Sequence, residues 1–177
     1  MASNCQLRTA RLKLELINES DLDKLFILRS NSNLSDYEGT LSDKSIEDTK
    51  KFLKRVSKLQ KAKEAYYYTL TLEAEDELIG IINLWNFGKF SFSGEVGFFI
   101  DPNYQGMGLA SEALEFITNY SFNILGLYIL YAHISASNLN AVKLLERNNF
   151  KYIKDYQEKN KATNKQEKIL VYKITKD

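Results

Sequence analysis

The feature that most constrains the fold of this chain is an apolar run that leads, through two closely spaced glycines, into an amphipathic helical pattern. The run covers residues 95–101 and is rich in residues that favour strands. Pro102 ends it, because proline cannot donate to the hydrogen-bond ladder of a sheet. Apolar residues then recur at helical spacing over 108–125. The chain must therefore pass from a central strand into a helix through the turn that holds Gly106 and Gly108.

That turn places several backbone N–H groups at the start of a helix, where they have no partner within the helix. Such donors, together with the helix dipole, favour a phosphate or a diphosphate. Gly106 and Gly108 lack a Cβ and let the backbone approach a ligand closely. Two glycines can also simply turn a strand into a helix, and Ser111 stands where the dinucleotide-binding G-x-G-x-x-G pattern needs a third glycine. The turn alone leaves both interpretations open.

The remaining patterns predict one α/β domain that spans residues 1–177. Periods of two residues predict strands, and periods near 3.6 residues predict helices, with N-caps at Ser20, Ser45 and Asn138. Runs of strands plus two crossover connections predict a mixed sheet. Seven strands are predicted, over residues 11–17, 66–73, 78–85, 95–101, 128–135, 150–156 and 169–174. Polar turns are predicted at 87–93 and 158–168, and a polar loop is predicted at 31–44.

Composition excludes several classes of function. The 177-residue chain has a formal net charge of +1, so it has no global attraction for nucleic acid or an anionic membrane. No segment approaches the roughly 20 apolar residues that cross a bilayer. Cys5 is the only cysteine, which excludes an internal disulfide and suits a reducing cytoplasm. Residues 1–11 lack the apolar core of a signal peptide, so a cytoplasmic location is expected.

Metal and hydrolase chemistry are also disfavoured. His133 is the only histidine, and together with one cysteine it cannot make a zinc site unless carboxylates supply the remaining ligands. No G-x-S-x-G elbow accompanies His133, which disfavours a Ser-His-Asp hydrolase. The chain has no G-x-x-x-x-G-K-[ST] motif, which disfavours a P-loop NTPase.

Three linked segments resemble the GNAT superfamily of N-acetyltransferases. The sequence QGMGLA matches the [Q/R]-x-x-G-x-[G/A] motif, and EVGFFIDPNYQGMGLASEAL is similar to the fourth strand and third helix of that fold. ASNLNAVKLLERNNF is similar to the segment that follows the fifth strand. The opening TARLKLELINESDLDKL resembles the T-x-R-L start of the ribosomal-protein (RimJ/RimL-like) branch, and the middle of the chain is similar to spermidine acetyltransferases.

The resemblance implies a mostly antiparallel mixed sheet of about seven strands with about four helices, splayed between the fourth and fifth strands. Acetyl-CoA would be the co-substrate, with no metal. Its pantetheine arm would lie in the splay and bond the backbone groups of Phe98, Phe99 and Ile100, a form of strand addition. Asn138 would bond the same arm or serve only as an N-cap. The diphosphate would bind the loop residues Gln105, Gly106, Met107, Gly108, Leu109, Ala110 and Ser111.

The resemblance also implies catalytic roles. Glu95, at the start of the fourth strand, would be the general base that deprotonates the amine, although a surface ion pair would explain it equally well. A backbone N–H of Phe98 or Phe99 would stabilise the oxyanion. Many relatives protonate the CoA thiolate with a tyrosine where this chain has Leu145, and the ribosomal branch often has serine where it has Ala141. The general acid is therefore unassigned.

The predicted function is direct transfer of an acetyl group from acetyl-CoA to a primary amine, with a protein N-terminus as the leading acceptor. The alternatives are a small-molecule amine (a polyamine, an amino sugar or an antibiotic) and a non-catalytic CoA-binding module. Trp85, Asn86 and Phe87 would form an acceptor wall, with Tyr37 and Glu38 in the bordering loop. No nucleic acid or membrane partner is expected, and a homodimer is left open.

Overall fold

The computed structural model describes residues 7–30, 42–88, 92–160 and 163–176. Cys5, Tyr37 and Glu38 lie outside these ranges, as does most of the predicted loop at 31–44. Four α-helices are described, together with short 3₁₀ turns at Glu19–Asp21 and Pro102–Tyr104. The helices are α1 (Leu22–Arg29), α2 (Ile46–Lys61), α3 (Leu109–Asn123) and α4 (Leu139–Arg147). Within the described part of the chain, no helix is long and apolar enough to cross a membrane.

The described strands form one open sheet in the order β1-β2-β3-β4-β5-β6-β8-β7. Its described pairings are antiparallel except for the parallel pair β5–β6, which the crossover through α3 connects. The predicted α/β class with a mixed, mostly antiparallel sheet is therefore confirmed. The strands are β1 (Leu7–Arg8), β2 (Leu12–Leu16), β3 (Ala65–Leu72), β4 (Glu77–Gly88), β5 (Ser93–Ile100), β6 (Ile129–Ser135), β7 (Lys151–Lys159) and β8 (Gln166–Thr175).

Helices cover both faces of the sheet, which explains why the central strands are apolar without alternation. On one face α3 and α4 pack on the sheet through fully buried residues such as Leu114 and Leu145. On the other face α1 and α2 pack through Leu25 and Val56. β4 contributes to both cores, because successive side chains of a strand point to opposite faces.

A buried ion pair joins the end of α1 to the start of α2. The guanidinium of Arg29 donates to Asp43 from Nε at 2.8 Å and from Nη2 at 3.0 Å. The hydroxyl of Thr49 donates to Asp43 Oδ2 at 2.7 Å, and Arg29 lies over the ring of Phe52. Only 6% and 5% of the Arg29 and Asp43 side chains are exposed, so each charge depends on its partner for solvation.

Several boundaries differ from the sequence predictions. Ser20 is not the cap before α1: Asn18 caps the 3₁₀ turn and accepts from Ser20 N–H at 2.9 Å. The predicted turn at 87–93 is shorter, since Gly88 still pairs with Ser93. The predicted loop at 158–168 is also shorter, since β7 and β8 pair out to Lys159 and Gln166. Phe150 lies before β7 and is buried in the core.

Candidate active site

The sheet opens between β5 and β6. Among the described residues these strands pair only at their starts, from Ser93–Ile129 to Glu95–Tyr131. Beyond Glu95, β5 stays paired with β4 up to Ile100, and β6 stays paired with β8 up to Ser135. The two strands therefore diverge. They are the fourth and fifth predicted strands, numbered β5 and β6 because β1 precedes them, and the splay was predicted between them. A cleft of about 1030 Å³ lies in this region, lined by both strands.

The glycine turn follows the wide end of the opening. Gly106 and Gly108 have φ values of +77° and +78°, a left-handed conformation that glycine adopts without a Cβ clash. Gly108 is also the N-cap residue of α3. Among the described residues, none accepts a hydrogen bond from the backbone N–H groups of Gly106 to Ser111. The turn thus presents unpaired donors at a helix N-terminus, the arrangement that suits an anionic group.

Gln105 fixes the turn to the end of β5. Its side-chain Nε2 donates to the carbonyl oxygen of Ile100 at 2.9 Å. The 3₁₀ turn between them is held by Asp101, whose Oδ1 accepts from Asn103 N–H at 2.8 Å. Gln105 therefore has a structural function that its place in the motif did not reveal.

The register of β5 decides which backbone groups face the cleft. Asp101 N–H donates to Ile79 O on β4 at 2.8 Å, while Phe92 O accepts from Tyr128 N–H, next to β6, at 2.6 Å. Backbone groups alternate along an antiparallel strand, so odd-numbered residues here face β4 and even-numbered ones face β6. The amide and carbonyl of Phe98 thus face the cleft that this residue lines, whereas those of Phe99 face β4. The backbone of Ile100 points to the same side as that of Phe98, but its carbonyl already accepts from Gln105. The resemblance had implied that the backbone of Phe99 also reaches the cleft. In this register it points to β4 instead.

Asn138 sits where β6 gives way to α4, and it lines the cleft. Its Oδ1 accepts from Ala141 N–H at 3.1 Å, which confirms the predicted N-cap. Ala141 also lines the cleft, while Leu145 is fully buried in the core. Leu145 is therefore a packing residue. Ala141 presents a methyl group to the cleft at the position where the ribosomal branch often has a serine hydroxyl.

Glu95 lies at the last pair before the strands diverge. Asn86, at a bulge in β4 with φ of +52°, donates from Nδ2 to Glu95 Oε1 at 2.5 Å. The same oxygen lies 3.9 Å from His133 Nε2, and 17% of the Glu95 side chain is exposed. Asn86 and His133 both line the cleft, although Glu95 itself is recessed behind them.

His133 connects this carboxylate to Tyr156 of β7. His133 Nδ1 lies 3.1 Å from the Tyr156 hydroxyl, within hydrogen-bond distance. Desolvation raises the pKa of Tyr156, and the nearby charges of Glu158 and Glu95 raise it further, so the phenol stays protonated at neutral pH. Glu95, His133 and Tyr156 thus lie in one row of polar groups beside the cleft, in which His133 is within hydrogen-bond distance of Tyr156 but not of Glu95.

The cleft wall beside Glu95 is aromatic. Trp85, Asn86 and Phe87, the predicted acceptor wall, all line the cleft. A Cβ on Gly97 would lie 2.9 Å from the Trp85 ring, so the glycine leaves room for the indole. The charges of the lining are balanced among described residues: carboxylates at Glu64, Glu158 and Glu167 against cations at Arg55, Lys63 and Lys159.

Sequence reasoning missed three residues that touch the glycine turn or its helix. Arg11 donates from Nη1 to the carbonyl oxygen of Met107 at 2.9 Å, and its guanidinium also bonds Glu112 of α3. The Thr9 hydroxyl donates to the same carboxylate. The T-x-R-L start contains Thr9 and Arg11, so the signal was present, but nothing in one sequence showed that it meets α3.

Comparison with known proteins gives the family. Residues 11–151 match the model of the acetyltransferase (GNAT) domain. The chain is 29% identical over 144 residues to the uncharacterized N-acetyltransferase YnaD of Bacillus subtilis, a match that covers 80% of this chain and 79% of that protein. It is 35% identical over 78 residues to a spermidine N(1)-acetyltransferase of Vibrio cholerae, which covers 44% of this chain and 45% of that protein.

A solved structure supports the same fold. The ribosomal L7/L12 α-N-protein acetyltransferase RimL, in complex with coenzyme A, superimposes with a TM-score of 0.83 at 16% identity, covering 96% of this chain and 97% of that one. At that identity the similarity shows the fold alone. The family match covers most of the chain, and this chain therefore belongs to the GNAT acetyltransferase family. It is an N-acetyltransferase.

Proposed function

We propose that residues 1–177 form one catalytic domain that transfers an acetyl group from acetyl-CoA directly to a primary amine, with a protein N-terminus as acceptor. The observation that carries this proposal is the opening between β5 and β6, which has unpaired N–H groups beyond its wide end and a recessed carboxylate at its narrow end. A reducing cytoplasm is the expected location. A homodimer remains a prediction.

The donor would bind along the opening. Amide hydrogens from Gly106 to Ser111 would hold the diphosphate, and Gln105 would keep this turn against β5. The pantetheine arm would run beside β5 and bond the carbonyl of Phe98 and the N–H of Ile100, since the Ile100 carbonyl already accepts from Gln105. Asn138 has committed its Oδ1 to the N-cap of α4, so its Nδ2 is the group that would reach the arm.

The chemistry requires a neutral amine. A lysine-like amine has a pKa near 10.4, so deprotonating it at pH 7 costs about 4.6 kcal/mol, whereas an α-amino group with a pKa near 8 costs only about 1.4 kcal/mol. Glu95 would accept the proton, directly or through water, as the new N–C bond forms and the C–S bond breaks. The Phe98 N–H, which faces the cleft, would stabilise the oxyanion. The electron pair leaves on the thiolate, whose conjugate thiol has a pKa near 8.5 and is a tolerable leaving group.

The balanced charge of the cleft favours an acceptor with one amine. A polyamine carries several positive charges and gains most from a site in which carboxylates outnumber cations. Here the described lining offers three of each sign, and Glu95 behind it adds one carboxylate, enough for one amine. A peptide that presents a single α-amino group does not need such an excess of carboxylates. A polyamine acceptor is the second candidate, because spermidine N(1)-acetyltransferases are among the relatives.

A thiol-release assay with matched acceptors tests the proposal. With a lysine-containing peptide whose N-terminus is free, the enzyme should release CoA from acetyl-CoA. With the same peptide after its N-terminus is blocked, so that only the internal lysine remains, it should not. Spermidine should give a kcat/KM at least about tenfold lower than the free peptide, the factor that about 1.4 kcal/mol of lost transition-state binding produces. Faster turnover of spermidine would identify a polyamine enzyme. CoA binding in calorimetry without turnover of any amine would identify a non-catalytic module.

Replacing Gly106 by alanine should weaken CoA binding about tenfold, since the left-handed conformation costs an L-residue roughly 1–2 kcal/mol and the turn would relax away from it. Gly126→Ala is a matched control. Its φ is +71°, against +77° for Gly106, and a Cβ at either glycine meets no atom within 4 Å. Calorimetry with CoA should therefore separate the two variants, although thermal unfolding should show similar losses. Equal CoA affinity in both would remove the turn from the binding site.

A further inference from the structure

Glu112, in the first turn of α3, is bonded to two residues, Thr9 and Arg11, in the turn between β1 and β2. Its Oε1 accepts from Arg11 N–H at 2.8 Å and also from the Thr9 hydroxyl. Its Oε2 accepts from Arg11 Nε at 2.7 Å, and Arg11 Nη2 lies at the same distance. Two nitrogens of the guanidinium therefore converge on one carboxylate oxygen, a charge-assisted contact that is stronger than a neutral hydrogen bond. It ties the turn between β1 and β2 to the helix that follows the glycine turn.

The same arginine reaches the glycine turn itself. Arg11 Nη1 donates to the carbonyl oxygen of Met107 at 2.9 Å. That carbonyl belongs to the same planar trans peptide unit as the N–H of Gly108, and the two groups point in opposite directions. Holding the carbonyl toward Arg11 therefore turns the Gly108 N–H to the other side of the turn, where the left-handed glycines leave the backbone open.

Electrostatics give Arg11 a second effect. Partial burial alone would raise the pKa of Glu112, but hydrogen bonds from Thr9 and from the backbone and side chain of Arg11 lower it, so the carboxylate stays ionised at neutral pH. A negative charge one helical turn from the glycine turn would repel an anionic ligand. Arg11 pairs with this charge directly.

We propose that Arg11 and Glu112 are positioning residues for the donor: Glu112 orients Arg11, and Arg11 orients the Met107–Gly108 peptide and neutralises Glu112. This inference rests on the proposed function, in which the glycine turn holds the diphosphate of acetyl-CoA. Neither residue needs to touch the reacting atoms. Thr9 completes the arrangement, since its hydroxyl also accepts from Leu12 N–H at 2.9 Å and fixes the turn between β1 and β2.

Calorimetry with two ligands tests the inference: CoA, and pantetheine, which lacks the diphosphate and the nucleotide. Glu112→Gln should raise the Kd for CoA severalfold, because Arg11 loses its charge-assisted partner, an effect that removal of the negative charge offsets in part. Arg11→Met should raise the Kd about thirtyfold, because it frees the Met107–Gly108 peptide and leaves Glu112 uncompensated beside the anion. The double variant should bind CoA more tightly than Arg11→Met alone. Pantetheine affinity should stay within about twofold of wild type in all three, since no charge changes near that arm.

Two further variants control for folding. Glu73→Gln breaks the exposed ion pair of Arg8 with Glu73 at the same end of the sheet and should leave both affinities unchanged. Arg11→Lys keeps the positive charge but cannot bridge a carboxylate and a carbonyl at once, so it should still weaken CoA binding severalfold. It tests the inference if Arg11→Met does not fold.

The outcomes are separable. Wild-type CoA affinity in the Arg11 and Glu112 variants would overturn the inference and leave the proposed function intact. Equal losses for CoA and pantetheine would also overturn it, because they would reveal a general structural role. Wild-type protein that ignores CoA would overturn the proposed function and this inference with it.

Discussion

Glutamine at position 95 is expected to lower kcat by about 100- to 1000-fold, within the range that general-base catalysis contributes. The substitution keeps the size of the side chain and removes only its capacity to accept a proton. Asn86 holds the carboxylate at the last β5–β6 pair through a hydrogen bond that the amide oxygen of glutamine can also accept, so the variant should leave the fold and the donor site intact. The measurement is steady-state turnover at saturating acetyl-CoA and acceptor, across a range of pH.

Glu158→Gln is the matched control, because Glu158 is a carboxylate of the cleft lining that lies outside the β5–β6 pairing. It should keep kcat within about threefold of wild type, since an exposed carboxylate at the rim contributes little. The KM for acetyl-CoA should be similar in both variants. Full turnover by the Glu95→Gln enzyme at every pH would show that another group, or water alone, removes the proton.

Asp43→Ala should lower the free energy of unfolding by about 3–5 kcal/mol, the usual cost of leaving one partner of a buried ion pair alone. Arg29 would keep its charge in a site where 6% of its side chain is exposed, and Thr49 would lose the acceptor of its hydroxyl. For a chain of this length the midpoint of thermal unfolding should fall by roughly 10 °C. Chemical denaturation monitored by circular dichroism measures the free energy directly.

Lys50→Gln provides the contrast. It breaks the ion pair of Lys50 with Glu47 at 2.6 Å on the same helix, but 51% and 64% of these side chains are exposed. Such a pair contributes under about 1 kcal/mol, so the midpoint should hardly move. Replacing both buried partners, as in Arg29→Met with Asp43→Leu, should recover part of the loss, since no charge is then stranded. Similar losses for Asp43→Ala and Lys50→Gln would refute the assignment of a buried network.

The edges of the sheet were the least predictable part of the fold. β7 is exposed along its entire length, so neither face imposes the apolar alternation that reveals a strand, and its polar end reads as a loop. β1 spans only two residues, too few for any period to show. The central strands and the two long helices were predictable because each buries a continuous apolar face.

The site divides in the same way. Gln105 to Ser111 could be located from the glycine spacing, because left-handed turns at a helix start demand glycine locally. The direction of each backbone group in β5 could not, since it depends on the pairing with β4, and a shift of one residue reverses it. For the same reason, only the folded sheet shows that the backbone groups of Phe98 and Ile100 point away from β4 while those of Phe99 point toward it.

By itself the sequence determined the α/β class, the turn between Pro102 and Leu109 and the cap of α4, all of which follow from periodicity, local conformation and short-range hydrogen bonds. Only the tertiary structure decided that Arg11 meets Glu112 and Met107, and that Asn86 and His133 converge on Glu95. These contacts join residues on separate elements, in the case of Arg11 about a hundred positions apart in the chain. Local propensity carries no information about such pairs, because the sheet order and register bring them together.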